Sequence, residues 1–253
     1  MSVLQSIGYR HSPSSVNGFS GDSREKEMAY RIFGIKSPPN DHIFRGICVE
    51  SSVRFILHRS PTQSELRKYV DSKWDKLNGI DPKYYQWCAD AASLMAQELE
   101  QRQLKRIKKF QEPFYGTYGA FNCYGLADFT FNDVTVDIKA PKTMPPYNIP
   151  KTNWIRQQAF YWGLSGKKRT FALLYGTNKK CEYYEIPQKE LAEGWEIMKS
   201  NMSWIERIDN ICQTKQDWID MFPFPDTNSF YYSDENFKQK IITLLKGEQN
   251  AND

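Results

Sequence analysis

The stretch VTVDIKAP, residues 134–141, reads as a β-strand that carries an acid and a lysine among β-branched residues. Side chains alternate along a strand, so the two valines and the isoleucine point to one face while Asp137 and Lys139 share the other. The rise of a strand separates that charged pair by about 6 to 7 Å. The strand therefore has one face for a core and one face for a site, and Pro141 ends its pairing.

The stretch YGLADFTF, residues 124–131, predicts a neighbouring strand. Only Asn132 and Asp133 separate the two strands, and both residue types tolerate positive φ, which indicates a two-residue hairpin. In that register Asp128 lies opposite Asp137, about 5 Å away, where like charges repel each other. A bound divalent cation would explain the pair, because hard oxygen ligands suit Mg²⁺ or Mn²⁺. A solvent-exposed hairpin with incidental acids is the alternative.

The lysine on the same face indicates which chemistry the site performs. A cation beside a metal-binding carboxylate pair can orient or activate a water molecule and can stabilise charge that develops on phosphorus. An acid pair alone could be only a binding site. Together with Lys139, the pair predicts phosphodiester hydrolysis.

Helices are predicted on both sides of the strands. Residues 42–59 read as a helix capped by Asp41, and Ser60 is expected to cap the next one. A long helix is expected from Pro82 into the basic run at residues 105–109. The apolar face expected for the helix at 42–59 consists of Ile43, Ile47, Val53 and Leu57. Further along, a helix at 153–166, two strands, a helix after Pro187 and a last helix near 235–246 complete an α/β fold around one mixed sheet.

The composition is that of a folded protein without a strong charge bias. The chain has 253 residues, 40% hydrophobic content and a net charge of +4, which permits an anionic partner without requiring one. It has no apolar run of membrane-spanning length and no apolar signal core at its N-terminus. The five scattered cysteines predict a reducing, cytoplasmic location. We expect residues 1–22 to be flexible and 23–253 to form one domain, with its core at 43–186 and a helical extension at 187–253.

Four short motifs together resemble the PD-(D/E)XK nuclease superfamily, in particular its RecB-like and lambda-type exonuclease branch. G-L-A-D at 125–128 and D-I-K at 137–139 match the two strand motifs of that superfamily. Q-Q-A-F-Y at 157–161 matches the Q-x-x-x-Y helix of the RecB-like branch, and R-G-I-C-V-E at 45–50 resembles its upstream helix motif. The motifs occur in the family's order. The resemblance implies a restriction-endonuclease-like core, a central mixed sheet flanked by helices, with helical additions at both termini.

The resemblance also implies roles for individual residues. Glu50, Asp128 and Asp137 would ligate Mg²⁺ or Mn²⁺, two ions in all, with the Ile138 carbonyl as a further ligand, and Lys139 would act on the attacking water. Gln157 and Tyr161, one helical turn apart, would contact DNA near the scissile phosphate. From their position beside the site, Lys142, Lys151 and Arg156 are further candidates for phosphate contacts.

The resemblance departs from the family in one respect. Several RecB-like relatives hold an iron–sulfur cluster through one early and three late cysteines, whereas here only Cys212 follows Cys181, so we expect no cluster. The chain then resembles the compact members of the branch.

The sequence thus predicts a metal-dependent exodeoxyribonuclease that acts at DNA ends in recombination, repair or replication, in a phage or bacterium. Its partner would be DNA, single- or double-stranded, with a homo-oligomer or a recombination protein as further possibilities and no membrane. An endonuclease of the restriction or junction-cleaving type is one alternative. A non-catalytic DNA-binding protein that retains the fold is another, and an RNA substrate is a third.

Overall fold

The structure, a computed structural model, describes residues 2–20, 24–221, 232 and 234–246. Helices precede and follow a group of strands along the chain. The helices are α1 (Val3–Ser6), α2 (Pro13–Ser20), α3 (Arg24–Phe33), α4 (Asp41–Arg59), α5 (Gln63–Lys76), α6 (Tyr84–Gln101), α7 (Thr152–Leu164), α8 (Gln188–Ile211), α9 (Lys215–Asp220) and α10 (Glu235–Leu245). The strands are β1 (Lys109–Tyr118), β2 (Phe121–Thr130), β3 (Val134–Lys139), β4 (Thr170–Gly176) and β5 (Cys181–Glu185), and a short 3-10 helix (Pro146–Asn148) precedes α7.

These strands form a mixed sheet in the order β1-β2-β3-β4-β5. The central strand β3 pairs antiparallel with β2 and parallel with β4, and β5 pairs antiparallel with β4. Asp137 and Lys139 therefore lie on a strand that has a neighbour on each side. The α/β architecture predicted from the sequence, a mixed sheet flanked by helices, is confirmed.

The two-residue hairpin between β2 and β3 is also present. Phe129 pairs with Val136 and Thr130 with Thr135, which is the predicted register, and the Phe131 N–H donates to the Val134 carbonyl at 2.9 Å. The apolar face packs against α4, α5 and α6 in one core cluster. The buried side chains of that face are Phe129, Phe131, Val134, Val136 and Ile138.

Strand β1 changes its alternation at one residue. Phe110 packs against Phe129 on the helix-covered face, with ring centroids 5.6 Å apart, whereas Glu112 accepts a hydrogen bond from Thr130 on the opposite face. Residues two apart on a regular strand share a face. The residue between them, Gln111, has φ 51, so it acts as a bulge that inserts one extra residue into β1.

Two predicted helix starts are wrong by one or two residues. Asn40, not Asp41, caps α4, because its side chain accepts the N–H groups of His42 and Ile43. The carboxylate of Asp41 instead accepts the backbone N–H groups of residues 80 and 81, at 3.0 and 3.1 Å.

The next helix is capped by Thr62 rather than Ser60. Thr62 and Glu65 form a reciprocal capping box, while Ser60 ends α4 in the left-handed conformation at φ 46. Helix α6 ends at Gln101, so the basic residues 105–108 lie in the segment that leads into β1 instead of in the helix.

The buried face of α4 differs from the predicted one. Ile43 and Ile47 are 52% and 39% exposed, and Leu57 is half-buried, whereas Val53 is buried as expected. Apolar residues occur on two sides of this helix, so the periodicity alone allows either side to face the core. The side with small residues, including Cys48, packs inward. Five of the α6 residues in the same core cluster are small as well, which allows the helices to approach closely; they are Cys88, Ala89, Ala91, Ala92 and Ala96.

The contacts of the chain group it into two compact units. The first contains the described parts of Met1–Pro38, Tyr115–Gly125 and Gly194–Asp253; the second contains Pro39–Phe114 and Leu126–Glu193. All predicted site residues belong to the second unit. The predicted domain boundaries at 22 and 187 do not coincide with these divisions, and the single domain stays a prediction.

Within the first unit, the described N-terminal residues form two helices, α1 and α2, and their predicted flexibility stays a prediction. Helices α1 and α2 bury Leu4, Val16 and Phe19 completely, and the Leu4 N–H donates to Asp209 at 2.9 Å. Ser-rich segments can still form helices when a few apolar side chains at helical spacing find a core. His11, between these helices, has backbone hydrogen bonds to residues 122 and 124 and is buried.

The C-terminal helices follow the sequence pattern. Leu191, Met198 and Ile205 of the predicted stripe are buried on α8, and α10 occupies the predicted position. The proline-bearing loop predicted at 221–229 lies, except for its first residue, outside the described residues. In the part of the chain that the structure describes, no helix is both long and apolar enough to cross a bilayer.

Candidate active site

The charged pair of β3 forms an ion pair beneath helix α7. Nζ of Lys139 lies 2.5 Å from Oδ2 of Asp137. The Asp137 side chain is completely buried, whereas the Lys139 side chain is 21% exposed. A lysine at this position is anchored at one oxygen of the carboxylate, and it still reaches solvent where a substrate could approach.

Asp128 lies beside this pair, although not as a ladder partner of Asp137. The paired residues of β2 and β3 end at Phe129 and Val136, and one residue further the Asp128 carboxylate accepts the Ile138 N–H at 2.8 Å. The expectation that Asp128 and Asp137 face each other in the ladder is therefore corrected. A side-chain oxygen takes the hydrogen bond that a ladder carbonyl would otherwise receive, and this fixes the carboxylate at the end of β3.

Glu50 of α4 is the third acid of the site. Its carboxylate accepts a long hydrogen bond, 3.4 Å, from the side-chain amide of Gln111 in the β1 bulge. Helix α4 also contacts the end of β3 through Arg45, whose Nε donates to the Ala140 carbonyl at 3.1 Å. This contact holds the helix that carries Glu50 against the strand that carries Asp137.

The three acids influence one another electrostatically. Burial raises the pKa of Glu50, and the charge of Asp137 raises it further. Burial also raises the pKa of Asp128 well above its usual range, with added contributions from Asp137 and Glu50. Three carboxylates that repel one another in a buried place require a compensating positive charge.

Lys139 supplies part of that compensation. Burial alone would lower the pKa of its ammonium group, but the carboxylates of Asp137 and Asp128 outweigh burial, and the pKa is raised. The lysine is therefore charged at neutral pH. An ammonium group donates hydrogen bonds and stabilises negative charge.

The donor set suits a hard divalent cation, but the side chains are not arranged as a closed cage. Among the residues that the structure describes, no group of three or more His, Cys, Asp or Glu side chains is already placed to hold a metal ion. The oxygen donors of Glu50, Asp128 and Asp137 and their mutual repulsion are the properties that fit such an ion. The Ile138 carbonyl stays a predicted ligand.

Gln157 connects helix α7 to the charged pair. Its Oε1 accepts from Lys139 at 2.8 Å, and its Nε2 donates to Asp137 at 3.2 Å and to the Tyr161 hydroxyl at 2.9 Å. The amide therefore matches each partner with the correct atom, an acceptor for the ammonium and a donor for the carboxylate. In this arrangement Gln157 positions the pair from within the protein.

Tyr161 does not lie at the surface, as direct contact with DNA would require. It is 2% exposed, and its ring stacks on Phe114 with centroids 5.6 Å apart. The predicted DNA contact is therefore corrected to a supporting contact with Gln157. The four-residue spacing correctly predicted that Gln157 and Tyr161 lie on one face of α7. It did not reveal that Tyr161 is buried in the core.

The three basic candidates have different surroundings. Lys142 and Lys151 are exposed, and the Lys151 ammonium lies 5.5 Å from the ring centroid of Trp154. Arg156 is half-buried, and its buried Nε has no hydrogen-bond partner among the residues that the structure describes. All three stay predicted phosphate contacts.

Two features near the site are absent from the sequence prediction. Gln111 reaches Glu50 only because of the bulge, which the sequence does not signal with a glycine. Glu112 forms a network with Thr130, at 2.6 Å, and with Lys109 and Arg169. Burial raises the pKa of Glu112, but the hydrogen bonds from Arg169, Lys109 and Thr130 outweigh burial and lower this pKa to about 2. The network ties β1 to β2 and to the start of β4.

The fold has a counterpart among solved structures. The chain aligns with a crystal structure from Eubacterium rectale, a protein provisionally named an exonuclease, at 14% identity and a TM-score of 0.60; the alignment covers 90% of this chain and 89% of that one. The two proteins share a fold. A crystal structure of LHK-Exo in complex with dAMP aligns at 12% identity and a TM-score of 0.46, over 83% of this chain and 93% of that one. No protein-family model and no curated protein sequence matches the chain.

Proposed function

We propose that this protein is a metal-dependent deoxyribonuclease, an exonuclease that hydrolyses phosphodiester bonds at DNA ends in recombination, repair or replication. The observation that carries the proposal is the convergence of three carboxylates and a charged lysine at one end of the central strand. Glu50, Asp128 and Asp137 supply oxygen donors, and Lys139 supplies a fixed cation. The shared fold with the Eubacterium rectale protein supports a nuclease over other uses of such a cluster.

The residues of the site would divide the work between binding and charge stabilisation. The three carboxylates would hold one or two Mg²⁺ or Mn²⁺ ions, which polarise the phosphate and lower the pKa of a bound water molecule. Lys139 would hydrogen-bond the attacking water or a phosphate oxygen and stabilise the charge that builds up on it. Gln157 would keep Lys139 and Asp137 in place throughout.

The first experiment measures nucleotide release from end-labelled linear duplex and single-stranded DNA in Mg²⁺ or Mn²⁺. We expect activity that EDTA abolishes. Asp137→Asn and Lys139→Gln should each reduce the rate by about a hundredfold or more, because each removes a preorganised charge at the reacting phosphate. Asp133→Asn in the exposed hairpin turn makes the same chemical change outside the site and should leave the rate unchanged. Full activity in Asp137→Asn would reject the proposal.

A second substrate separates the enzyme classes. An exonuclease should leave a covalently closed DNA circle intact and degrade the same molecule after linearisation. Cleavage of the circle would assign an endonuclease instead. Binding of DNA with equal strength in EDTA and Mn²⁺, without any release of nucleotides, would assign a non-catalytic DNA-binding protein.

A further inference from the structure

A groove lies between helix α4 and residues 105–107, in the segment that enters β1. Between this groove and the candidate site, Gln111 contacts Glu50. One helical turn further along α4, the guanidinium of Arg54 lies 4.1 Å from the ring centroid of Phe110. Helix α4 and the segment at residues 105–111 are therefore in contact beside the site. Going away from the site, the residue numbers rise along α4 and fall along this segment.

The outer part of the groove is open. One cavity of about 370 Å³ is lined by residues of both walls, and a second of about 550 Å³ lies along α4. His58 lines both cavities, so they are neighbours. The stacked rings of Phe55 and Tyr69, with centroids 4.3 Å apart and nearly parallel, form an apolar wall of the second cavity.

Among the described residues, the lining of the two cavities carries positive charge and no carboxylate. Arg54 and Arg59 line the second cavity, while Lys105 and Arg106 line the first, and all four side chains belong to exposed residues. Within the described part of the chain, none of these four residues has an ion-pair partner within 4.0 Å. Four unneutralised cations around open space are suited to an extended anion.

The positions along α4 also match a strand that passes through the site. At 1.5 Å per residue, Arg54 lies about 6 Å and His58 about 12 Å beyond Glu50 along the helix axis. A favourable interaction with the helix dipole would explain cations in the last turn of α4, namely His58 and Arg59. It does not explain Arg54, which lies further inside the helix, or the two cations of the opposite wall.

We infer that this groove binds the phosphodiester backbone of a nucleic-acid strand next to the bond that is cut. The inference rests on the proposed nuclease function, since helix α4 carries both Glu50 of the candidate site and Arg54 and Arg59 of the groove. Binding in the groove itself requires neither hydrolysis nor a metal ion. It can therefore be tested separately.

The test is a binding titration of the full chain with fluorescently labelled single-stranded DNA in EDTA, followed by anisotropy over a range of salt concentrations. The variant carries Arg59→Gln, Lys105→Gln and Arg106→Gln, three exposed cations whose replacement leaves the core intact. The matched control carries Lys68→Gln, Lys76→Gln and Lys189→Gln, exposed residues that do not line the groove. Both variants lose the same net charge.

We expect the groove variant to bind at least tenfold more weakly and the control to stay within about twofold. The slope of log K against log salt should fall by about 2 in the groove variant, because each lost phosphate contact on a single strand contributes about 0.7. Equal behaviour of the two variants would overturn the inference. Equally tight binding of the wild type to a polyglutamate peptide would overturn the assignment to nucleic acid.

The same titration keeps this inference separate from the nuclease proposal. A wild type that binds through the groove but releases no nucleotide rejects the nuclease proposal alone. A wild type that hydrolyses DNA while the groove variant binds normally rejects the groove alone.

Discussion

The candidate site depends on the way in which one neutral side chain holds two charged ones. Gln157 accepts from Lys139 and donates to Asp137, and a third hydrogen bond to the buried Tyr161 fixes the amide orientation. An amide is suited to this task because it offers an acceptor and a donor on one planar group. Gln157 is thus a positioning residue, and its loss should affect turnover more than binding.

We predict that Gln157→Leu lowers kcat about tenfold or more and leaves KM nearly unchanged. The expected loss corresponds to more than one hydrogen bond, each of about 1 kcal/mol. Tyr161→Phe, which removes only one partner of Gln157, should lower kcat by less than Gln157→Leu does. Steady-state kinetics on end-labelled DNA will measure both, with thermal unfolding as a check on the fold. A rise in KM at constant kcat would show instead that Gln157 contacts the substrate.

Much of this site follows from the sequence because of local rules. Alternation along β3 placed Asp137 and Lys139 on one face, and the two-residue turn fixed the register of the hairpin. The pairing of Asp128 was not accessible in this way, since a side-chain hydrogen bond replaces the ladder there. Burial of Tyr161 depends on β1, which is distant in sequence, and no local pattern reveals it.

At the scale of elements, the errors arose where two local signals competed. Asn40 and Asp41 are both good cap residues, and the choice depended on two backbone N–H groups near residue 80. The side of α4 that faces the core depended on small residues of α6. Sequence periodicity predicts that a helix has an apolar face, but the partner helix decides which face is buried.

Replacement of two glycines of the α4–α6 region by alanine should change the free energy of unfolding in opposite directions. A Cβ at Gly79 would lie 2.0 Å from Cε2 of Trp74, which is completely buried, so Gly79→Ala should lower the free energy of unfolding by about 1–3 kcal/mol. A Cβ at Gly46, inside α4, meets no atom within 4 Å. Gly46→Ala should therefore raise the free energy of unfolding by about 0.5–1 kcal/mol.

Urea unfolding of the two variants beside the wild type measures this difference. Destabilisation by Gly46→Ala would mean that the space beside that position is filled. A neutral effect of Gly79→Ala would mean that the Trp74 ring moves aside at little cost.

At the scale of the whole molecule, His11 should make stability depend on pH. Burial lowers the pKa of this imidazole to about 4, because desolvation penalises the charged form. The carboxylate of Glu206, 3.9 Å away, is the acid that faces it. Since the folded pKa is below the usual 6.5, the unfolded chain takes up the proton first.

The contribution of neutral His11 is therefore complete above pH 6.5 and is lost as the pH falls towards about 4. We predict a loss of up to about 3 kcal/mol over this interval. His11→Gln, which cannot titrate, should reduce the slope of stability against pH between these values. Urea unfolding across this pH range measures the slope, and an identical slope in the variant would assign the acid sensitivity to other groups.

The bulge in β1 bears on how the sequences of related proteins could differ. Gln111 is the extra residue of that strand, so its removal leaves Phe110 and Glu112 as ordinary neighbours on opposite faces. Deletion of Gln111 would keep the other residues of the sheet in register and would remove the side chain that contacts Glu50. Such a deletion variant should fold with little change in unfolding free energy while its activity changes, and a collapse of the fold would refute this. One-residue insertions and deletions at this position are thus a route by which relatives could alter the site without rebuilding the sheet.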